Sequence, residues 1–538
     1  MSLAEIYIGD IPAQPAFLQQ RPTLEAVSSP DVRPSRQLFN EYYELRNAAA
    51  EEDRPQGEAL TAIQEDVKVW IEENQLVESL DYTTYRRETV EAKIGGLVHY
   101  LRKKYGSQIP ESDLTASTLF VESAFSMWED TPETGTAEDA DGSFAFIVPV
   151  RASRERDDYG SEADGICPAL RYVPNEYKAA MSVCMPPLVL DMYQKDPDGR
   201  RGYLVMAPVY GDMALDMSKT DAARQVPKNV ADAVHFAQSR LGVRFMGLGA
   251  TIPGYTNHGK SIQHAVDTEA GHLTTSGHGG TTYLILETIR AALEQGNARD
   301  ENGEPLNAEN VRNIGMLGLG AIGGAATSII ADAFPNARIN AYDPVGLTRK
   351  LSKIHQAVDT LRQGKGGVPA AEQIIAAESE GAVIEGSDIT VSAVNVQFDL
   401  DKMGVGPLEG QVVIDDCQPD SFNAAQLQKR GGVLLGVVGL DAGEQPNGQS
   451  TVVRQDYDYG MLENAQRHVF GCEAEVASLY RYWKELQERG MDVDLANRIV
   501  DKLALRSEVT VQSARYFGAL FKKYGIVAAN VVTQKPAA

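Results

Sequence analysis

The spacing of apolar and polar positions changes character several times along the chain. Residues 1–34 hold no sustained period and are rich in proline and polar residues, which predicts an extended arm. From Ser35 to about Gly106 the spacing is helical. Leu60, Ile63, Val67, Trp70 and Ile71 form one apolar stripe, and Val90, Ile94, Leu97, Val98 and Leu101 form another. Such stripes need a partner, so this appendage is expected to brace the body or a second subunit, and a homo-oligomer is the expected assembly. Acidic stretches at residues 129–141 and 154–164 predict two surface loops around a strand at 145–150. Between Ala169 and Thr282, strand-like YLVMAP and VRFMGLG enclose helix-like VADAVHFAQSRLG, a rhythm that builds a parallel sheet.

A long helix is predicted over 281–296, followed by the hydrophilic linker ARDENGEPLNAEN. After Val311 the alternation of strand and helix is clear. NIGMLGL, ARINAYD, DITVSAV and QVVIDD read as buried strands, with AIGGAATSIIADAF as a helix between the first two. Helices are predicted over 462–489 and 496–524, and no internal repeat is evident. The predicted architecture is α/β: a Rossmann-type doubly wound parallel sheet over 308–460, an α/β substrate domain over 113–296, and an N-terminal arm and helical appendage over 1–112. C-terminal helices over 461–538 are expected to complete the substrate cleft.

At 538 residues the chain exceeds one ordinary core, consistent with that division. A formal charge of −25 argues against nucleic acid or an anionic membrane surface as partner. No apolar stretch approaches bilayer length, and the N-terminus lacks the basic start and apolar core of a signal peptide. The four cysteines, Cys167, Cys184, Cys417 and Cys472, are widely spaced without a CxxC pair, so neither a disulfide framework nor a zinc site is expected. A cytoplasmic enzyme is the expectation.

GLGAIGG places Gly318, Gly320 and Gly323 in the G-x-G-x-x-G spacing between an apolar strand and an apolar helix. Gly318 suits a tight turn, Gly320 the approach of a pyrophosphate, and Gly323 close helix packing; Ala321 and Ile322 open the helix whose amides face the anion. Asp343 ends the next strand, twenty residues after Gly323. A carboxylate there accepts ribose hydroxyls and repels a 2′-phosphate, which favours NAD(H); Arg349 and Lys350 downstream leave NADP(H) possible. Ser392, Ala393 and Val394 end a later strand near the expected switch point. The glycines of an earlier GLGATIPG, residues 247–254, do not match the fingerprint and predict a tight loop at a sheet edge, facing substrate.

Further segments carry a resemblance. FSMWEDTP, FMGLGAT, TTSGHGGTTY, the glycine fingerprint, VVIDDCQP, QDYDYG and FGCEAEV occur in this order over some four hundred residues. Together they resemble the cyanobacterial-type long-chain acyl-(acyl carrier protein) reductases. The resemblance implies reduction of an acyl thioester, on acyl carrier protein or coenzyme A, to an aldehyde through a cysteine acyl-enzyme, a role that falls on Cys472. Read from its own segment, Cys472 is either that nucleophile or a small buried helix residue. Glu475, three residues on, shares its face and is the candidate proton carrier, although it and Glu473 would also raise the thiol pKa. His278, in the turn TSGHGGTT, is either a site residue or a loop residue; Thr281 and Tyr283 are pocket candidates. His258, His264, His272 and His278 are spaced by six, eight and six residues, which fits no common metal motif, and no metal is expected.

The chain departs from that family in three ways. Its members favour NADPH, the helical first hundred residues have no counterpart, and the net charge suits an acidic carrier only through a basic patch such as 102–104 or 522–523. Two alternatives remain at this stage: an NAD-dependent dehydrogenase of an amino or hydroxy acid without a covalent step, and an NAD-responsive binding protein.

Overall fold

The structure, a computed structural model, describes residues 34–46, 48–49, 53–77, 84–130, 140–150, 167–210, 219–300, 302–364, 367–394, 396–417, 420–441 and 467–529. The expected arm (to residue 33), most of both acidic loops, and QDYDYG lie outside the described residues.

The N-terminal region is helical: α1 (Pro34–Arg46), α2 (Gly57–Glu73) and α3 (Gly96–Tyr105), the last preceded by a π-helical turn at Glu91–Gly95. The second apolar stripe is buried throughout, and Ile63, Val67 and Ile71 of the first are buried too. These stripes pack within the chain. α1 lies along α4 (Glu111–Glu129), with Tyr42 and Phe120 in ring contact at 5.9 Å. Arg54 grips the buried Asp113 carboxylate at 2.9 Å through two nitrogens.

The first sheet contains β1 (Gly142–Val150), β2 (Leu188–Met192), β3 (Arg201–Tyr210), β4 (Phe245–Leu248) and β5 (Leu273–Thr275), in the order β2-β3-β1-β4-β5. It is mixed: β2 runs antiparallel to β3 and the remaining pairs are parallel. The sequence pattern had not signalled β2, because its run LVLDM buries an aspartate that Tyr43 of α1 satisfies from a distance. α5 (Lys219–Ser239) covers this sheet, and α6 (His278–Glu294) leads out of it.

The second sheet is the expected doubly wound one. β6 (Asn313–Leu317) passes into α7 (Ala321–Ala333) and β7 (Arg338–Tyr342), then α8 (Leu347–Arg362) and β8 (Ile374–Ala376). β9 (Ile389–Ser392), β10 (Val412–Asp415) and β11 (Val433–Gly436) complete it. All pairs are parallel in the order β11-β10-β9-β6-β7-β8. The order reverses between β6 and β9, which opens a crevice at the carboxyl ends of those strands.

A small antiparallel sheet, β13-β12-β14, joins β12 (Gly439–Asp441), β13 (His468–Val469) and β14 (Ile526–Ala528). It ties the end of the nucleotide domain to the C-terminal helices α9 (Gly471–Glu488), α10 (Val493–Leu503) and α11 (Val511–Lys523). Two expected helices change here. Of the helix expected over 462–489, residues 462–466 lie outside the described residues, residues 468–469 form β13, and α9 begins at Gly471. The helix expected over 496–524 is two helices, because the chain leaves the helical path to exchange bonds with the end of β5: Leu505 N donates to Thr275 Oγ1 at 2.9 Å and Ser276 N to the Leu505 carbonyl at 2.8 Å. α6 packs on α7, α9 and α11 and so connects the domains. Among the described residues no helix is long and apolar enough to cross a membrane.

Candidate functional site

Two adjoining features make up the site. The first is the glycine loop between β6 and α7. Gly318 has a φ of +83°, and a Cβ there would lie 2.5 Å from the Ala393 carbonyl and 2.8 Å from Val394. Gly323 seats the helix on this turn, since a Cβ would meet the Gly318 carbonyl at 2.0 Å. Gly320 differs: nothing lies within 4 Å of its missing Cβ, so its surface is free for a ligand. Ala321 and Ile322 are half-buried in the first turn of α7, whose leading amides have no acceptor within the helix. This is the cradle a pyrophosphate requires, and the residues present fit a dinucleotide.

Asp343 ends β7 as expected, but its carboxylate is already engaged. Oδ2 accepts Leu319 N at 2.7 Å and the Lys350 ammonium at 2.6 Å, and Oδ1 accepts Val345 N at 2.8 Å. Burial pushes its pKa up, yet Lys350 and the two amides outweigh this and leave it below the usual carboxylate range. Asp343 therefore braces the glycine loop through the Leu319 amide. Val345 and Val396 follow β7 and β9 with 71% and 55% of their surfaces exposed, offering apolar faces at the rim where an adenine needs cover. Neither was evident from the sequence, because an exposed valine is informative only once its neighbours are known.

The Ser392 side chain turns inward. Its hydroxyl meets Ser421 Oγ at 2.7 Å, and Ser421 in turn bonds to the buried Asp415, whose pKa burial raises to about 6. Ala393 and Val394 abut Gly318, so of these three positions the latter two line the glycine loop while Ser392 props the strand end.

The second feature is a wall made by the N-termini of α6 and α9. Glycines let the two chains touch. Gly277, at φ +75°, has no room for a Cβ, which would fall 2.2 Å from Cys472 Cβ; a Cβ at Gly280 would meet the Gly471 carbonyl at 2.2 Å. Glu475 reaches across and caps α6: its carboxylate accepts Gly277 N at 3.1 Å, Gly280 N at 2.8 Å and the Thr275 hydroxyl. This cap starts α6 at His278, three residues earlier than the apolar pattern suggested. Burial raises Glu475 to about 7, while these donors hold it lower than burial alone would. The residue expected to carry protons is thus also a helix cap.

Of the four cysteines, Cys472 alone is not buried. The residue as a whole is half-buried, while protein crowds its thiol. Its thiol is pushed up to about 12, first by burial, then by the Glu473 and Asp416 charges; the Glu473 amide works the other way. Glu473 is itself held by Phe470 N at 3.0 Å and by the Tyr193 hydroxyl. Asp416, just beyond β10, comes from the nucleotide domain. Burial and the neighbouring Asp415 raise it well above the usual range. It was not singled out from the sequence, since only the tertiary fold brings its charge within reach of Cys472.

His278 stands beside Gly277, its ring perpendicular to that of His258 with centroids 5.3 Å apart. Burial lowers His278 to about 4, so it is neutral at pH 7. The Nδ1 atoms of both rings, the Ser276 hydroxyl and the Thr251 hydroxyl are buried without hydrogen-bond partners among the described residues. Thr251 lies within, and His258 four residues beyond, the 247–254 segment after β4 that the sequence predicts as a tight loop. That loop holds Ala250, Asn257 and His258 at positive φ (48°, 49° and 58°), a concentration of backbone strain typical of functional sites. Thr281 packs on Gly471, and Tyr283 packs on Gly518 and Phe521, so Tyr283 does not join this wall. Among the described residues no group of three or more His, Cys, Asp or Glu side chains is placed to hold a metal ion.

No family model and no curated protein matches the chain. Solved structures similar to it include the L-tryptophan dehydrogenase from Nostoc punctiforme, at 9% identity over 70% of this chain and 89% of that one, with a TM-score of 0.26. The NAD-complexed D-isomer specific 2-hydroxyacid dehydrogenase from Lactobacillus delbrueckii ssp. bulgaricus is 10% identical over 62% of this chain and 93% of that one, TM-score 0.23. The Salmonella D-lactate dehydrogenase is 10% identical over 54% and 77%, TM-score 0.21. At these scores the likeness assigns this chain neither a substrate nor a reaction.

Proposed function

We propose that the chain is a nicotinamide-dependent oxidoreductase, using NAD(H) with NADP(H) also admitted, that reduces an acyl thioester to an aldehyde through Cys472. The observation that supports this reading is the place of Cys472, the one cysteine that is not fully buried, in the first turn of α9 against Gly277.

In this reading the thioester carbonyl lies against the first turn of α9. Burial raises both the thiol and the Asp416 carboxyl, so both favour their protonated forms more than in water. The thiol proton passes to ionised Asp416 as sulfur attacks the carbonyl carbon. The carbon–sulfur bond to the carrier breaks, the carrier thiolate takes the proton, and an acyl-Cys472 thioester remains. First-turn amides of α9 stabilise the oxyanion. A reduced nicotinamide cofactor, held by Gly318, Gly320 and the amides that open α7, would supply hydride for reduction of the acyl group to the aldehyde. Departure of the aldehyde returns the cysteine thiolate, which takes a proton from solvent. The neutral imidazoles of His258 and His278 offer hydrogen bonds to substrate without adding charge.

The test is intact-protein mass spectrometry with peptide mapping after incubation with acyl-coenzyme A and acyl-carrier-protein thioesters, with no reduced cofactor present. A mass gain on the Cys472 peptide, absent in Cys472→Ala, is the expected result. One observation favours a second reading: a thiol raised to about 12 is a weak nucleophile at pH 7. Under that reading the chain is an NAD-dependent dehydrogenase of an amino or hydroxy acid, with no covalent step. Full turnover in Cys472→Ala would select it.

A further inference from the structure

A crevice of about 380 Å³ opens where α6, α7 and α11 meet, within the range of about 300–1,000 Å³ typical of small-molecule sites. Three cations line it, Arg290, Arg515 and Lys522, against one acid, Asp332, in a chain of net charge −25. Leu286, Ile329 and Ala519 supply apolar surface between them. Two of the cations already have partners: Arg290 bonds to Glu287 at 2.7 Å, and Arg515 pairs with Asp332. Lys522 makes no ion pair among the described residues, and its ammonium stands 6.0 Å from the centroid of the Tyr283 ring. The Tyr283 hydroxyl faces Glu287, whose charge and hydrogen bond add to the burial that raises its pKa.

An ammonium with no ion pair beside apolar walls matches a molecule with one negative end and an apolar body. A plain inorganic anion would leave the apolar surface uncovered, and a neutral apolar molecule would leave Lys522 unpaired. We propose that this crevice binds a small organic carboxylate with an apolar body. The bound carboxylate pairs with Lys522 and competes with Asp332 for Arg515. Because the Arg515–Asp332 pair joins the C-terminal helix to the nucleotide domain, occupancy loosens that connection. The proposal stands apart from the oxidoreductase reading, since none of these residues belongs to the Cys472 wall or the glycine loop.

The test is calorimetric titration of the full chain with octanoate, with octanol and inorganic phosphate as separate arms. Octanoate is expected to bind saturably at one site, with octanol and phosphate at least about tenfold weaker. Lys522→Glu and Ala519→Trp should each weaken octanoate at least about tenfold with thermal unfolding unchanged, and alkylation of Cys472 should leave binding intact. No saturation at millimolar octanoate overturns the proposal. So does phosphate or octanol binding as tightly as octanoate, loss of octanoate binding on Cys472 alkylation, or unchanged binding in Lys522→Glu. If Ala519→Trp does not fold, Lys522→Glu decides alone.

Discussion

The Glu475 carboxylate accepts the Gly280 amide at 2.8 Å, so a side chain in the second turn of one helix caps another helix 195 residues earlier in the chain. This bond, with those to Gly277 and Thr275, holds Cys472 against Gly277 and His278. Glu475→Ala strips buried amides of their acceptor, each costing about 1–3 kcal/mol, and is expected to destabilise the protein by about 3 kcal/mol. Denaturant unfolding measures this. A loss indistinguishable from that of a surface substitution would remove Glu475 from its capping role.

The same carboxyl makes stability depend on pH. Burial raises it to about 7 in the folded protein, against roughly 4.3 in the unfolded chain. The folded state therefore binds the extra proton between those values. This contribution is full below about pH 4.3, falls as pH rises towards 7 and is then exhausted, a change on the order of 3 kcal/mol. Glu475→Gln removes the titration. The difference between wild type and this variant, followed by thermal unfolding from pH 5 to pH 8, should favour wild type less as pH rises; a difference independent of pH contradicts the assignment.

Thiol reactivity gives another check. With Cys472 raised to about 12, its rate of alkylation by iodoacetamide should climb about tenfold per pH unit from pH 7 to pH 10 without a plateau. Asp416→Asn removes one of the raising charges and should speed alkylation at fixed pH. The Cys472 peptide, quantified by mass spectrometry, is the readout. A plateau below pH 8 means the thiol ionises far more readily than its surroundings predict.

The glycine loop separates folding from binding. Gly320→Ala meets open space and should leave thermal unfolding unchanged, while NADH affinity falls at least about tenfold because the added methyl occupies the ligand's position. Gly323→Ala collides with the Gly318 carbonyl and should lower stability as well. Equal NADH affinity in Gly320→Ala and wild type, by fluorescence titration, removes this loop from cofactor binding.

Lys350 tests cofactor choice. Its ammonium lies on Asp343 at 2.6 Å, where it both neutralises the carboxylate and stands ready for a 2′-phosphate. Lys350→Met should weaken NADPH binding at least about tenfold and NADH binding by much less. Parallel loss of both would confine Lys350 to bracing the loop.

Local pattern was enough for everything short in range. The doubly wound sheet, the strand–turn–helix geometry around Gly318, Gly320 and Gly323, the place of Asp343 at a strand end and the two N-terminal stripes all follow from spacings of a few residues, because strand pleat, helix pitch and turn sterics act over those distances. Sequence order also brought Cys472, Glu475 and His278 forward as candidates, and the fold sets all three at one junction of helix ends. The early start of α6, the break between α10 and α11, the small third sheet, the inward turn of Ser392 and the approach of Asp416 to Cys472 were decided only in three dimensions. Each depends on a partner far away in the chain, such as Glu475 for Gly280 or Leu505 for Thr275. A hydrogen bond between distant segments leaves no periodic trace in either one, so packing alone determines which buried groups are satisfied and which face the cleft unpaired.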